Sequence, residues 1–144
     1  MNIIAIIPTY NHHNRINDVV TGLKVNDLPV IIVDDGSDQT TRDVLANIDD
    51  VILHRHDRNL GKGAAVISGF REARRLGYSH ALQVDADGQH DLSAVPNLMQ
   101  AARRQPEDVV AGIPIYDDTI PLGRKLGRWI THFWVWIETL SFQI

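Results

Sequence analysis

Short, largely unbroken apolar runs alternate along this chain with segments of helical periodicity, and that alternation restricts the fold more than any other feature. The runs occupy residues 3–7, 30–33, 51–53, 81–84 (interrupted by Gln83) and 109–111. A strand with one wet face would alternate apolar and polar residues, so continuous runs this short suit strands buried on both faces. Between them, apolar residues recur at i, i+3, i+4 and i+7: Ile16, Val19, Val20 and Leu23, then Thr41, Val44, Leu45 and Ile48, then Val95, Leu98, Met99 and Ala102. This spacing lines one face of a helix, and residues 62–76 read as a further helix. Ser37 or Asp38 suits the N-cap of the second helix, and Ser93 that of the last, with Pro96 in its first turn. The expected fold is therefore α/β: a Rossmann-like, mostly parallel sheet flanked by helices.

At 144 residues with 44% hydrophobic content, the chain has the size and composition of an ordinary globular domain, which argues against a disordered tail. The absence of Cys excludes a disulfide framework and leaves the redox compartment unread; a cytoplasmic location is the default. A net charge of −4 lacks the basic stripe that bulk phosphate attraction requires, so no nucleic acid partner is expected. The opening run ends at Pro8 without the basic flank of a secretory leader. No stretch reaches the roughly 18 apolar residues of a membrane span.

Polar residues gather where the strands should end. Pro8, Thr9, Tyr10 and Asn11 follow the first run, Asp34 and Asp35 the second, and Asp85 and Asp87 the fourth. In open parallel sheets, ligands bind outside this carboxyl edge, where helix N-termini also converge. Asp85-Ala86-Asp87 sends two carboxylates to one side if the backbone is extended, and such hard oxygens suit Mg²⁺ or Mn²⁺. The triplet alone is weak, because the 15 Asp predict about 1.5 such triplets by chance, and a turn and capping cluster running to Asp91 would use the same residues. Asp34-Asp35-Gly36-Ser37 offers a nucleobase acceptor in Asp35 and a loop brace in Asp34, or simply a turn and cap. Residues 58–65 form a glycine-bearing loop that opens a helix, where backbone amides and Lys62 suit a phosphate; ordinary loop punctuation explains it as well. The His pairs, His12-His13 and His54-x-His56, lack the helical spacing of metal ligands and read as surface or structural residues.

In order and spacing, Ile7-Pro8-Thr9-Tyr10-Asn11, Val33-Asp34-Asp35-Gly36-Ser37-Asp38, Asn59-Leu60-Gly61-Lys62-Gly63 and Val84-Asp85-Ala86-Asp87-Gly88-Gln89-His90 resemble the inverting family 2 glycosyltransferases, close to the dolichol-phosphate mannose synthase branch. The resemblance implies the glycosyltransferase A fold, a UDP- or GDP-linked sugar donor, a divalent cation and an acceptor that is lipid-linked in that branch. It also implies that Pro8, Thr9, Tyr10, Asn11, Asp35, Gly61, Lys62 and Asp85 bind the donor nucleotide. Asp85 and Asp87 would hold the metal, with Gln89 a weaker candidate. No residue is assigned as catalytic base. One departure bears on the acceptor: Pro114 stands where the mannose synthase branch tends to carry Arg. Two alternatives remain at this point, a haloacid dehalogenase-type phosphatase with Asp85 as nucleophile and a catalytically idle nucleotide-binding module.

Residues 1–118 carry 11 Lys/Arg against 17 Asp/Glu, a net −6, whereas residues 119–144 carry 3 against 1, a net +2. In the latter segment Leu122, Leu126, Trp129, Ile130, Phe133, Ile137 and Leu140 share a helical face, and Arg124, Lys125 and Arg128 lie off it. The expected organisation is a nucleotide-sugar-binding domain over 1–118 and an amphipathic, Trp-rich helix over 119–144. That helix suits either the inner face of a membrane or packing on an acceptor half. The chain stops without a helix-stop signal, which reads as truncation at the C-terminus.

Overall fold

A computed structural model describes residues 1–112. The element order is β1 (Ile3–Thr9), α1 (Ile16–Lys24), β2 (Val30–Asp34), α2 (Gln39–Ala46), β3 (Ile52–Arg55), α3 (Lys62–Arg75), β4 (His80–Gln83) and α4 (Val95–Arg104), the last preceded by a 3-10 turn at Leu92–Ala94. The four strands form one sheet in the order β3-β2-β1-β4, and every pair is parallel.

Every residue of β1 and β2 is buried. The two-residue period of a strand divides their side chains between two cores. Ile3, Ala5, Ile7, Val30 and Ile32 pack with Ile16, Val19, Val20 and Leu23 of α1, Leu45 of α2 and Val95 of α4. Ile4, Ile6, Ile31 and Val33 face the other way, onto Ala65 and Ala73 of α3. Helices on both faces are thus the physical reason that these runs have no polar alternation, and the α/β expectation is met.

Three local expectations are corrected. Residues 109–111 form no strand: three apolar residues contribute little burial, none of the described strands pairs with them, and Val109 is 97% exposed. The third and fourth runs are not buried on both faces, because β3 and β4 flank the described sheet and their residues are only partly covered or exposed. Ser93 does not cap α4, which follows Ala94 without a side-chain cap; Asp91 caps the 3-10 turn before it. Asp91 Oδ1 accepts the Ser93 N–H at 3.0 Å, while Pro96 does sit in the first turn of α4. For α2, Asp38 is the cap, accepting the Thr41 N–H at 2.8 Å. The expectations for residues 113–144, including Pro114 and the Trp-rich helix, lie outside the described residues.

The chain progresses from β1 outward through β2 and β3, then returns to place β4 on the opposite side of β1. Reversal of winding direction leaves a crevice between the carboxyl ends of β1 and β4, the topological switch point at which open α/β sheets bind ligands. Close approach of α3 to the sheet depends on Gly69, where a Cβ would strike Ile6 Cγ2 and come within 3.3 Å of Val33 Cγ2. Gly69→Ala gains up to about 1 kcal/mol of helix propensity. The overpacking penalty of about 1–3 kcal/mol is the larger effect. We expect a net loss of stability, read as a lower urea midpoint with an unchanged slope.

Candidate functional site

A cleft of about 320 Å³ opens at the switch point, lined by Pro8, Thr9, Tyr10, His12, Asp35, Asn59, Lys62, Ala65, Asp85, Ala86 and Asp87. Its floor begins with β1. Thr9 is buried, accepts the Asp35 N–H through its carbonyl at 2.9 Å, and donates its hydroxyl to the His12 carbonyl at 3.1 Å. Tyr10 follows, half exposed.

The carboxyl end of β2 carries two adjacent, buried carboxylates. Asp34 turns away from the cleft, accepting the Ser37 N–H at 2.9 Å and the Arg55 Nε–H at 2.7 Å. Arg55 is available there because the parallel register of β2 and β3 sets it opposite Asp34. Asp35 Oδ1 accepts the Leu60 N–H at 2.9 Å and lies 2.7 Å from His56 Nδ1, and Oδ2 accepts the Gly61 N–H at 2.8 Å. Burial opposes ionisation of Asp35, but the bonds from His56, Leu60 and Gly61 outweigh it and hold the pKa below the ordinary 3.8. Gly36, between the two loops, has φ +73°, and a Cβ there would collide with the backbone of Arg58 and Asn59.

Lys62 opens α3 and points its ammonium at Asp85, with Nζ 2.7 Å from Oδ2. Gln83 donates to Asp85 Oδ1 at 3.0 Å, and His90 Nε2 stands 3.9 Å from Oδ2. Partial burial would raise the Asp85 pKa, yet Lys62 above all keeps it lowered. Beyond β4 the chain turns at Ala86–Asp87 rather than staying extended; Ala86 is buried yet borders the cleft, and the turn brings Asp87 to it beside Asp85.

Of the residues expected to bind the donor, Pro8, Thr9, Tyr10, Asp35, Lys62 and Asp85 line this one cleft. Asn11 lies beside it with a positive φ of 52°, donating its N–H to Ser37 Oγ and accepting the Asp38 N–H through Oδ1. Gly61 contributes its amide to Asp35, which organises the loop from within. Gln89 is exposed and donates its backbone N–H to Asp87 Oδ1 at 3.0 Å.

Three polar residues at the site are not among the expected ligands: in sequence, Asn59 reads only as part of the loop over 58–65, and His12 and His56 read as surface or structural. His12 and Asn59 line the cleft. His56 is buried, with Nε2 2.9 Å from Ser68 Oγ on α3 in addition to its contact with Asp35. The signal for His56 was present: it immediately follows β3 at the same carboxyl edge that singled out the Asp pairs.

Two cleft carboxylates have the donor chemistry for Mg²⁺ or Mn²⁺, whose shells are completed by water and substrate phosphates. Among the described residues no three His, Asp, Glu or Cys side chains gather as a protein-only cation site. The donor set therefore fits a cation shared with a bound diphosphate, and Lys62 would have to release Asp85 Oδ2 to admit it.

The family profile described as glycosyl transferase family 2 matches residues 4–142, and the chain belongs to that family. The UDP-N-acetylglucosamine–dolichyl-phosphate N-acetylglucosaminyltransferase of Methanococcus voltae is 31% identical over 147 residues, covering 88% of this chain and 59% of the relative. The undecaprenyl-phosphate mannosyltransferase of Micrococcus luteus is 33% identical over 138 residues, covering 91% and 54%. The polyprenol monophosphomannose synthase of Mycolicibacterium smegmatis is 35% identical over 107 residues, covering 68% and 40%. The chain thus spans less than two thirds of the length of these curated relatives. Neither the phosphatase nor the idle-module alternative is favoured by these matches.

The lowered pKa of Asp35 links its network to acid stability. A carboxyl depressed by folding adds stability that is present above its unfolded value and disappears as pH falls through the folded one. We expect Asp35→Asn to unfold at lower urea than the parent at pH 6, with the gap closing below pH 3.8. A gap independent of pH would contradict the role of the charge.

Proposed function

We propose that this chain is the donor-binding part of an inverting glycosyltransferase that moves a sugar from a nucleoside diphosphate to a polyprenyl phosphate. The observation that carries the reading is the convergence of Asp35, Lys62, Asp85 and Asp87 on one cleft at the switch point of the sheet. Family membership and relatives named for dolichyl, undecaprenyl and polyprenol phosphate acceptors support the substrate classes.

In this reading the nucleoside lies along Pro8, Thr9, Tyr10 and Asp35. Asp35 Oδ1 already takes two hydrogen bonds and Oδ2 one, so a single lone pair is left to accept a ring N–H from uracil or guanine. The diphosphate lies toward Lys62, whose ammonium exchanges Asp85 for a phosphate oxygen. Asp85 and Asp87 hold Mg²⁺ or Mn²⁺, which when bound offsets the charge of the departing diphosphate. The acceptor oxygen attacks the anomeric carbon opposite the leaving group. Its bond to carbon forms as the carbon–oxygen bond to the diphosphate breaks, and the nucleoside diphosphate leaves with the electron pair. An ionised phosphate acceptor has no proton to lose, so this transfer requires no side chain as general base.

The acceptor lipid requires contact with a membrane. No helix among the described residues is long and apolar enough to cross one, and we assign the contact to residues 119–144 at the cytoplasmic face. Their three basic residues contribute about 1 kcal/mol each at an anionic surface. That is weak anchoring, and burial of Trp129, Phe133 and Trp136 supplies the remainder. Flotation with anionic liposomes should therefore survive moderate salt and fail when these aromatics become Ala. Flotation unchanged by the aromatic substitutions would make the segment a packing helix instead.

Titration calorimetry with UDP and GDP tests the donor site. Binding should need Mn²⁺ and be lost with chelator, and Asp87→Ala should weaken it. Lys62→Ala should weaken binding about tenfold, the value of one hydrogen bond between charged groups. Equal affinity with and without chelator would exclude the cation from the site.

A further inference from the structure

The sequence reading assigned no role in the cleft to His56, yet its ring joins three elements. It lies just past β3 and is 8% exposed, and its backbone N–H donates to the Asp34 carbonyl at 2.9 Å. Its Nδ1 stands 2.7 Å from Asp35 Oδ1 at the end of β2, and its Nε2 stands 2.9 Å from Ser68 Oγ in α3. We propose that His56 is a positioning residue of the donor site, acting through the orientation of Asp35. The inference rests on the reading of the cleft as a nucleotide site.

The chemistry of the pair settles the proton. An ionised carboxylate accepts only, so Nδ1 carries the hydrogen and donates it to Asp35 Oδ1. The Nε2 contact with Ser68 Oγ at 2.9 Å holds the imidazole plane against α3. With the Leu60 N–H also on Oδ1, that oxygen is saturated, and the carboxylate cannot rotate without breaking three bonds, that of Gly61 to Oδ2 included. Two consequences reach the cleft. The remaining lone pair of Oδ2 keeps one direction, which a ring N–H of the base must match. The bonds from Leu60 and Gly61 also hold the two residues that precede Lys62, so the loop delivers its ammonium from a constant position. Without His56 the two amides would still hold one oxygen each, but Oδ1 would lose its side-chain donor and the brace to α3 that limits how far the carboxylate tilts.

A thermodynamic cycle separates this role from packing. UDP and GDP binding in Mn²⁺ is measured by calorimetry on the full chain, His56→Ala, Asp35→Ala and the double variant, with thermal unfolding of each. His56→Ala should weaken the tighter nucleotide about tenfold, as expected for one hydrogen bond to a charged group. It should cost little or nothing further once Asp35 is Ala, because sites that act through one another are not additive. His56→Asn, whose amide N–H reaches the Nδ1 position, should recover most of the affinity; His56→Gln, which reaches the Nε2 position and leaves Asp35 unserved, should not.

Equal losses with and without Asp35, or no loss in His56→Ala, overturn the inference while leaving the donor site intact. If His56→Ala does not fold, the order of Asn and Gln decides, and tighter binding by Gln overturns it. A parent chain that binds neither nucleotide overturns the donor-site reading, and this inference with it.

Discussion

Two neighbouring carboxylates at the end of a buried strand cannot both remain ionised unless each finds its own partners. The loops of this domain are arranged around that constraint. Asp34 is served by the Ser37 amide and by Arg55, which the register of β3 delivers. Asp35 is served from the opposite direction by His56 and by the amides of Leu60 and Gly61. Consecutive residues of an extended chain point to opposite sides, so the pair ties the turn into α2 and the loop into α3 to the same strand end. Lys62 follows Gly61 directly, and its place in the cleft derives from this arrangement.

Across the cleft, Lys62 and Asp85 form a pair of a different kind. Both are partly exposed, with 62% and 26% of their side chains accessible, so solvent screens their attraction and the contact adds little stability. Its interest lies in exchange: an ammonium on a flexible stem occupies a carboxylate that a divalent cation would also use, and a diphosphate would draw both. The buried Asp34 and Asp35 networks are rigid supports, while the exposed pair can be rearranged at low cost. A site that must admit and release a charged ligand needs both kinds of contact.

Periodicity revealed the central elements because burial imposes it. The runs at β1 and β2 are covered by helices on both sides, and Ile16, Val19, Val20 and Leu23 are all buried as their spacing requires. Where burial is partial, the same signal misleads. The run at residues 109–111 is apolar but forms no strand, and β3 extends past its apolar run through His54 to Arg55 because pairing with β2 continues there. Capping was legible at Asp38, but not before α4, where Asp91 caps a 3-10 turn and the helix itself starts without a side-chain cap. Boundaries depend on hydrogen bonds that hydrophobic pattern does not encode.

The sequence by itself determined the parallel α/β class and the set of residues at the carboxyl edge, because strand ends and polar side chains are local features of the chain. Only the tertiary structure decided what those residues touch. It placed β4 beside β1, which brings Asp85 and Asp87 to face Lys62 and Asp35 across one cleft. It also turned Asn11 and Gly61 into loop braces and brought His56, one of a histidine pair that reads in sequence as surface or structural, into contact with Asp35 and Ser68. These pairings join residues 12 to 27 positions apart, and their formation depends on strand order and register. Neither is encoded in any local run of residues.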